Sequence, residues 1–205
     1  VASPKAQNVL GRPNALALIR KLTQGAEQLA KSIGIELAEF DRFEPFEVNL
    51  TLKDGDFVEL SRDMIVQALE TPGHTRDSLS YFIPQKKVLL CSEAAGIPDA
   101  TGYIVSEALV DYDQYYESLR RLSNMEYEVL CLGHRQALNG QDAKNYFQKS
   151  MTHCRNFLNL VEASLIEENG DVQKVVSRIK AIEYDPIQEP KQIEAAYLLN
   201  LEAKV

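Results

Sequence analysis

Thr71-Pro72-Gly73-His74-Thr75 stands between two short apolar runs, Ile65-Val66-Gln67-Ala68-Leu69 and Leu79-Ser80-Tyr81-Phe82-Ile83. The pattern reads as a loop between two strands that displays one imidazole. Pro72 pre-sets one backbone dihedral, and Gly73 lets the chain turn where a side chain would obstruct it. A histidine on so stiff a loop suits metal coordination better than core packing. Two other residues occupy the same kind of place, just past an apolar strand: Glu93 after Val88-Leu89-Leu90-Cys91, and His134 after Val129-Leu130-Cys131-Leu132-Gly133. Neighbouring strands present their ends along one edge of a sheet, so these three side chains are placed to converge. Two imidazoles and a carboxylate make a borderline donor set for zinc, iron or manganese. Such an ion lowers the pKa of a bound water to about 7 and polarises a substrate oxygen.

Around this stretch the chain alternates in character. Ser3 is placed to cap a helix beginning at Pro4, with residues 1–3 as the end of a strand. Asn14 is placed to cap an amphipathic helix to about Ile33, since Leu16, Ile19, Leu22, Ala26 and Leu29 recur at helical spacing. Residues 46–91 read as short strands. Phe46-Glu47-Val48-Asn49-Leu50 alternates, Asp54-Gly55 is a hairpin signal, and Phe57-Val58-Glu59-Leu60 follows. A second hairpin is expected around Pro84-Gln85-Lys86-Lys87. Residues 92–110, with Gly96, Pro98 and Gly102, read as irregular, a length often associated with function. A helix over 113–122 and a buried strand over 129–132 come next. Beyond about Asp142 the pattern is helical: one helix to Asn169-Gly170, a second capped by Asp171, and a third after Pro190.

The 205 residues are 45% hydrophobic and 25% charged, enough for a substantial core in an ordinary soluble composition. A net charge of -8 argues against nucleic acid or an anionic membrane as the main partner. No apolar run approaches the roughly 20 residues that cross a bilayer, and no signal peptide is visible. Three scattered cysteines, Cys91, Cys131 and Cys154, suggest reduced thiols in a cytoplasmic protein.

Taken together, Thr71-Pro72-Gly73-His74-Thr75 with Asp77-Ser78, then Val88-Leu89-Leu90-Cys91-Ser92-Glu93-Ala94, then Leu132-Gly133-His134, resemble in order and spacing the third, fourth and fifth motifs of the metallo-β-lactamase-fold hydrolases. The resemblance runs to about Gly140. It implies an α+β fold, the αββα sandwich, of which this chain supplies chiefly the C-terminal half: residues 1–140, with a helical extension over 141–205 packed on it. It also implies His74 at the first metal position, His134 at the second and Glu93 as the bridging carboxylate, with zinc (or iron or manganese) as one or two ions once further ligands are supplied. The activity implied is a metal-bound hydroxide attacking an ester, thioester, amide or phosphodiester in a small-molecule substrate.

Three departures accompany the resemblance. The His-x-His-x-Asp-His segment of the family is absent from these residues, which reads as a fragment of a longer chain beginning upstream of Val1. Glu93 stands where the family has aspartate, after Ser92 in place of a glycine, and Arg135 stands where a glycine often follows the last histidine. The alternative these departures favour is a binding or regulatory relative that has lost part of its metal site. A half-fold also predicts pairing, with another copy or with the missing N-terminal part, to cover its sheet. His153 reads as structural, Asp99 and Asp111 as solvated loop carboxylates, Tyr103, Tyr112 and Tyr115 as packing residues, and Cys91 and Cys131 as buried strand thiols.

Overall fold

In the computed structural model, residues 1–35, 46–99, 101–134, 136–188 and 191–205 are described, excepting the side chains of Leu22 and Leu29. Helices α1 (Pro4–Leu10) and α2 (Pro13–Ser32) come first. Strands β1 (Phe57–Ser61), β2 (Met64–Glu70), β3 (Leu79–Ile83) and β4 (Val88–Ser92) follow, then a small hairpin of β5 (Ile97–Pro98) and β6 (Ile104–Val105). Helix α3 (Tyr112–Ser123) leads to β7 (Val129–Leu132) and β8 (Ala137–Asn139). The chain closes with α4 (Gly140–Glu167), α5 (Val172–Glu183) and α6 (Glu194–Lys204). The larger sheet has six strands in the order β1-β2-β3-β4-β7-β8. Its first four strands form an antiparallel meander, β4 and β7 are parallel, and β7 and β8 are antiparallel. This mixed sheet with packed helices and a helical C-terminal extension is the expected α+β architecture.

Register explains which face is dry. Leu89 pairs with Leu130, and Phe82 pairs with Leu89, so these side chains share one face. With Leu69 and Cys91 they pack against Tyr115, Leu119 and Leu122 of α3 and Ala143, Tyr146 and Phe147 of α4. On the opposite face Tyr81, Ile83, Val88, Leu90, Val129 and Cys131 are only half-buried. A second core lies among the helices, where Phe157 and Val161 of α4 meet Val175, Val176 and Ile179 of α5 and Tyr197 and Leu201 of α6. Tyr112 packs against both cores and donates its hydroxyl proton to the Cys154 carbonyl at 2.7 Å.

The local signals place the helices well. Ser3 Oγ accepts from the Ala6 amide at 3.0 Å, with Pro4 in the first turn. Asp111 and Asp171 cap α3 and α5 through the amides of Gln114 and Lys174. Helix α4 stops where Asn169 and Gly170 both take positive φ. The turn at residues 84–87 is a single 3-10 turn, Pro84–Lys86, closed by Lys87 at φ 49°.

Other elements differ. The alternation at 46–50 forms no strand; next to it, Thr51 makes one parallel bridge with Ala2, which is all the regular pairing residues 1–3 have. Asp54-Gly55 is therefore not the tip of a hairpin. The Asp54 carboxylate instead accepts from the Glu70 amide at 2.8 Å and pairs with Arg121 at 2.7 Å, which ties the turn to β2 and α3. The hairpin tip falls at Arg62-Asp63, between β1 and β2. Within 92–110, read as irregular, β5 and β6 pair, and β8 forms a short strand that no local signal announced. Asn14 lies inside α2, not at its cap. Of the stripe expected to bury that helix, Leu16 and Ile19 are half-buried and Ala26 is exposed, while Leu22 and Leu29 lie outside the described side chains. Arg135 and Pro190 also lie outside the described residues. No helix among the described residues is long and apolar enough to cross a membrane.

Candidate functional site

The loop after β2 is braced on every side. Thr71 donates its amide proton to the Ser78 carbonyl at 3.0 Å, and the hydroxyls of Thr75 and Ser78 lie 2.7 Å apart. Ser118 of α3 donates to the Pro72 carbonyl at 2.7 Å, and the Val110 amide donates to the Gly73 carbonyl at 3.1 Å. Gly73 has φ 126°, and a Cβ there would overlap the backbone of Tyr115. Glycine is required because α3 lies directly on the loop. The imidazole of the next residue, His74, is thereby aimed past the end of β2.

Glu93 follows β4. Ser92 before it takes φ 48°, a left-handed conformation that favours the glycine the resemblance led one to expect there. The Gly133 amide donates to the Ser92 carbonyl at 2.9 Å and brings the end of β7 alongside. His74, Glu93 and His134 meet there. His74 Nε2 lies 2.5 Å from Glu93 Oε2, and His134 Nε2 lies 2.8 Å from Glu93 Oε1. The three residues expected to converge do so, and one carboxylate spans both imidazoles.

The protonation state follows from the partners. His74 Nδ1 lies 2.6 Å from the Glu107 carbonyl oxygen, which only accepts, so Nδ1 donates. Nε2 faces a carboxylate that also only accepts, so this contact calls for a proton on Nε2 as well, and the ring is a cation at pH below its raised pKa. Burial opposes that charge, but the Glu93 hydrogen bond and charge and the Glu107 carbonyl outweigh it and raise the His74 pKa above its ordinary 6.5. The His74 hydrogen bond in turn holds the Glu93 carboxyl down at about 2, against the opposing effect of burial and with help from His134.

A metal ion would need a different arrangement. Zinc holds nitrogen and oxygen ligands at about 2.0–2.2 Å, which at a tetrahedral angle sets the ligand atoms about 3.3 Å apart. The 2.5 Å His74–Glu93 approach is that of a hydrogen-bonded ion pair, shorter than the separation of two ligands on one ion. Each carboxylate oxygen also serves a different imidazole, so neither position collects the three protein donors of a catalytic zinc site. Among the described residues no group of three His, Cys, Asp or Glu side chains is arranged to hold one metal ion. The residues present do not, by themselves, fit the ion that the resemblance implies.

An open cavity of about 280 Å³ lies beside the cluster, lined by Ser3, His74, Ser78, Tyr81, Ser92 and Glu93 among others. The remaining residues singled out from sequence have local duties. His153 Nδ1 accepts from the Ile104 amide at 2.9 Å and its ring stacks on Tyr103 at 4.3 Å. Asp99 closes its own turn through Thr101 and Tyr103, and Asp111 caps α3. Tyr115 is buried, with its hydroxyl 3.4 Å from the Glu93 carbonyl. Burial pushes the Cys91 thiol up to about 12, which removes it as a nucleophile, and Cys131 is half-buried in β7. Sequence reasoning missed Glu107. A single acid in Ser106-Glu107-Ala108-Leu109-Val110 offers no periodicity and no motif by which to find it.

A sequence profile described as the Metallo-beta-lactamase superfamily matches residues 5–134, a span that ends on His134. Among solved structures, the chain is similar to an archaeal metallo-beta-lactamase superfamily protein from Sulfolobus tokodaii. That match has 17% identity and a TM-score of 0.50, and covers 99% of this chain and 68% of that one. It is also similar to a metallo-beta-lactamase family protein from Thermus thermophilus, with 16% identity and a TM-score of 0.56 over 92% of this chain and 59% of that one. At such identities the likeness is one of fold.

Proposed function

The chain belongs to the metallo-beta-lactamase superfamily, and from that premise we propose that it is a binding or regulatory relative. Its cavity beside His74 and Glu93 takes a small molecule, and its own residues hold no catalytic metal. One observation carries this reading: the Glu93 carboxylate is engaged at both oxygens by the imidazoles that would otherwise be ligands. In this reading residues 1–140 form the superfamily portion and 141–205 the helical extension packed on it. The test is metal analysis of the 205-residue chain purified without chelators. Zinc, iron and manganese together are expected well below one ion per chain. One or two ions per chain, accompanied by hydrolysis of an ester or thioester, would overturn the reading.

A second reading is a metal-dependent hydrolase in which residues outside these 205 supply the remaining ligands. Two observations favour it: the half-buried apolar face of the sheet, and the partial coverage of both similar proteins. Under it His74, Glu93 and His134 are ligands awaiting their partners, and the chain pairs through that face with an N-terminal part or a second copy. Joining a segment bearing His-x-His-x-Asp-His ahead of Val1 would then convert the chain to one that retains stoichiometric metal. Light scattering that finds this chain alone monodisperse and monomeric would count against the pairing.

A further inference from the structure

On the side of His74 away from Glu93 lies a second polar cluster, which the proposed function does not use. Ser106 and Glu107, between β6 and α3, are 4% and 6% exposed. The Glu107 carbonyl accepts the His74 Nδ1 proton, and its carboxyl accepts from Asn200 Nδ2 at 2.7 Å. The Lys204 ammonium donates to the Ser106 carbonyl at 3.1 Å and lies 4.5 Å from the centre of the Phe157 ring. Asn200 and Lys204 stand one turn apart on α6, so a single helix face grips both residues of the segment. They act across 93 and 98 residues of sequence.

This arrangement is costly to build. A lysine at the last position of a helix would ordinarily extend into water. Here it is buried, which lowers its pKa, while the charges of Glu183 and Glu107 oppose that shift. Asn200 is 8% exposed, and its Oδ1 has no protein partner among the described residues. Buried polar contacts of this kind add little net stability, but they hold their partners in one geometry. What they hold is the acceptor of the His74 Nδ1 proton. That acceptor decides which nitrogen is protonated and where the ring points, as the outer partner of a functional imidazole does.

We propose that Glu107 is a positioning residue for His74, and that α6 is the strut that sets it, with Asn200 and Lys204 clamping residues 106–107 so that the imidazole is delivered to Glu93. The helical extension thereby governs the site, and whatever lifts α6 releases His74. This rests on the reading that the His74–Glu93–His134 cluster is the working site. It does not depend on whether that site holds metal.

The test is imidazole nitrogen–proton correlation spectroscopy on the full chain, in which three histidines give three spin systems. In the unsubstituted protein the His74 Nδ1 proton should be sharp and slow to exchange. Asn200→Leu, Lys204→Met and Glu107→Ala should each speed its exchange about fivefold, the change in open population that follows from losing one net hydrogen bond. Glu107→Gln, which keeps an acceptor for Asn200, should restore the slow exchange. A His74 signal unchanged in all three folded disrupting variants overturns the proposal, as does equal loss in Glu107→Gln. Should the larger lesions unfold the chain, Asn200→Ser removes the same contact more gently and is read in the same way. Failure of the proposed function would appear as metal bound to the unsubstituted chain, a measurement that involves none of these variants.

Discussion

His74 and His134 hold the two oxygens of one carboxylate from different surroundings. The His74 side chain is 18% exposed, both its nitrogens are engaged, and its loop is braced by α3. The His134 side chain is 53% exposed and meets Glu93 from a turn after β7 through one nitrogen. The first contact is screened little by water and its geometry is imposed by packing. The second is a surface pair, of a class worth about 0–1 kcal/mol. The cluster thus has a built arm and a loose arm. A ligand entering it would displace His134 at small cost and leave His74 where it is.

The difference is most exposed to attack at Gly73. Gly73→Ala forces a side chain into the backbone of Tyr115 at a left-handed φ, and should destabilise the fold by about 3–5 kcal/mol in urea denaturation. A cost below about 1 kcal/mol would mean that the loop yields easily and the built arm is not built.

Acidity separates the arms next. Glu93 is held at about 2 against an ordinary 4.5, so its contribution is complete above 4.5 and lost as pH falls toward 2. His74 is raised above 6.5, so its contribution is complete below 6.5 and lost as pH rises through the raised value. Both shifts describe largely one interaction and are not summed. The pair therefore supports the fold most fully between about pH 4.5 and 6.5, and the acid loss should be about 1–3 kcal/mol. In His74→Gln the alkaline fall in stability should vanish; its persistence would place the titration elsewhere.

Substitution of the loose arm sharpens the contrast. His134→Gln should cost less than about 1 kcal/mol and become immeasurable in molar salt. A cost matching that of His74→Gln would erase the asymmetry. Smallest is Ser92→Gly, at the backbone that carries Glu93. Relief of the left-handed strain exceeds the entropic cost of glycine by about 0.5 kcal/mol, so the melting temperature should rise slightly.

Much of this was legible because the relevant forces are local. Strands 79–83, 88–92 and 129–132 announce themselves as apolar runs bounded by turn residues, and side chains just past their ends meet because adjacent strands end along one edge. The caps at Ser3, Asp111 and Asp171 are short-range hydrogen bonds, readable three residues at a time. The alternation at 46–50 misled because a strand needs a partner, and regular pairing there is confined to the bridge at Thr51. Asp54-Gly55 misled because Arg121, 67 residues away, recruits the aspartate.

Sequence by itself determined the family pattern, the order of the elements, and which three residues come together. Those follow from hydrophobic periodicity and turn chemistry, which act between neighbours. Tertiary structure alone decided what the three residues do when they meet. It set the span of one carboxylate across two imidazoles, the double protonation of His74, and the grip of Asn200 and Lys204 on residues 106–107. Each of these depends on distances between groups far apart in the chain. A hydrogen bond and a metal site differ by less than an ångström in such distances, which no spacing of letters records.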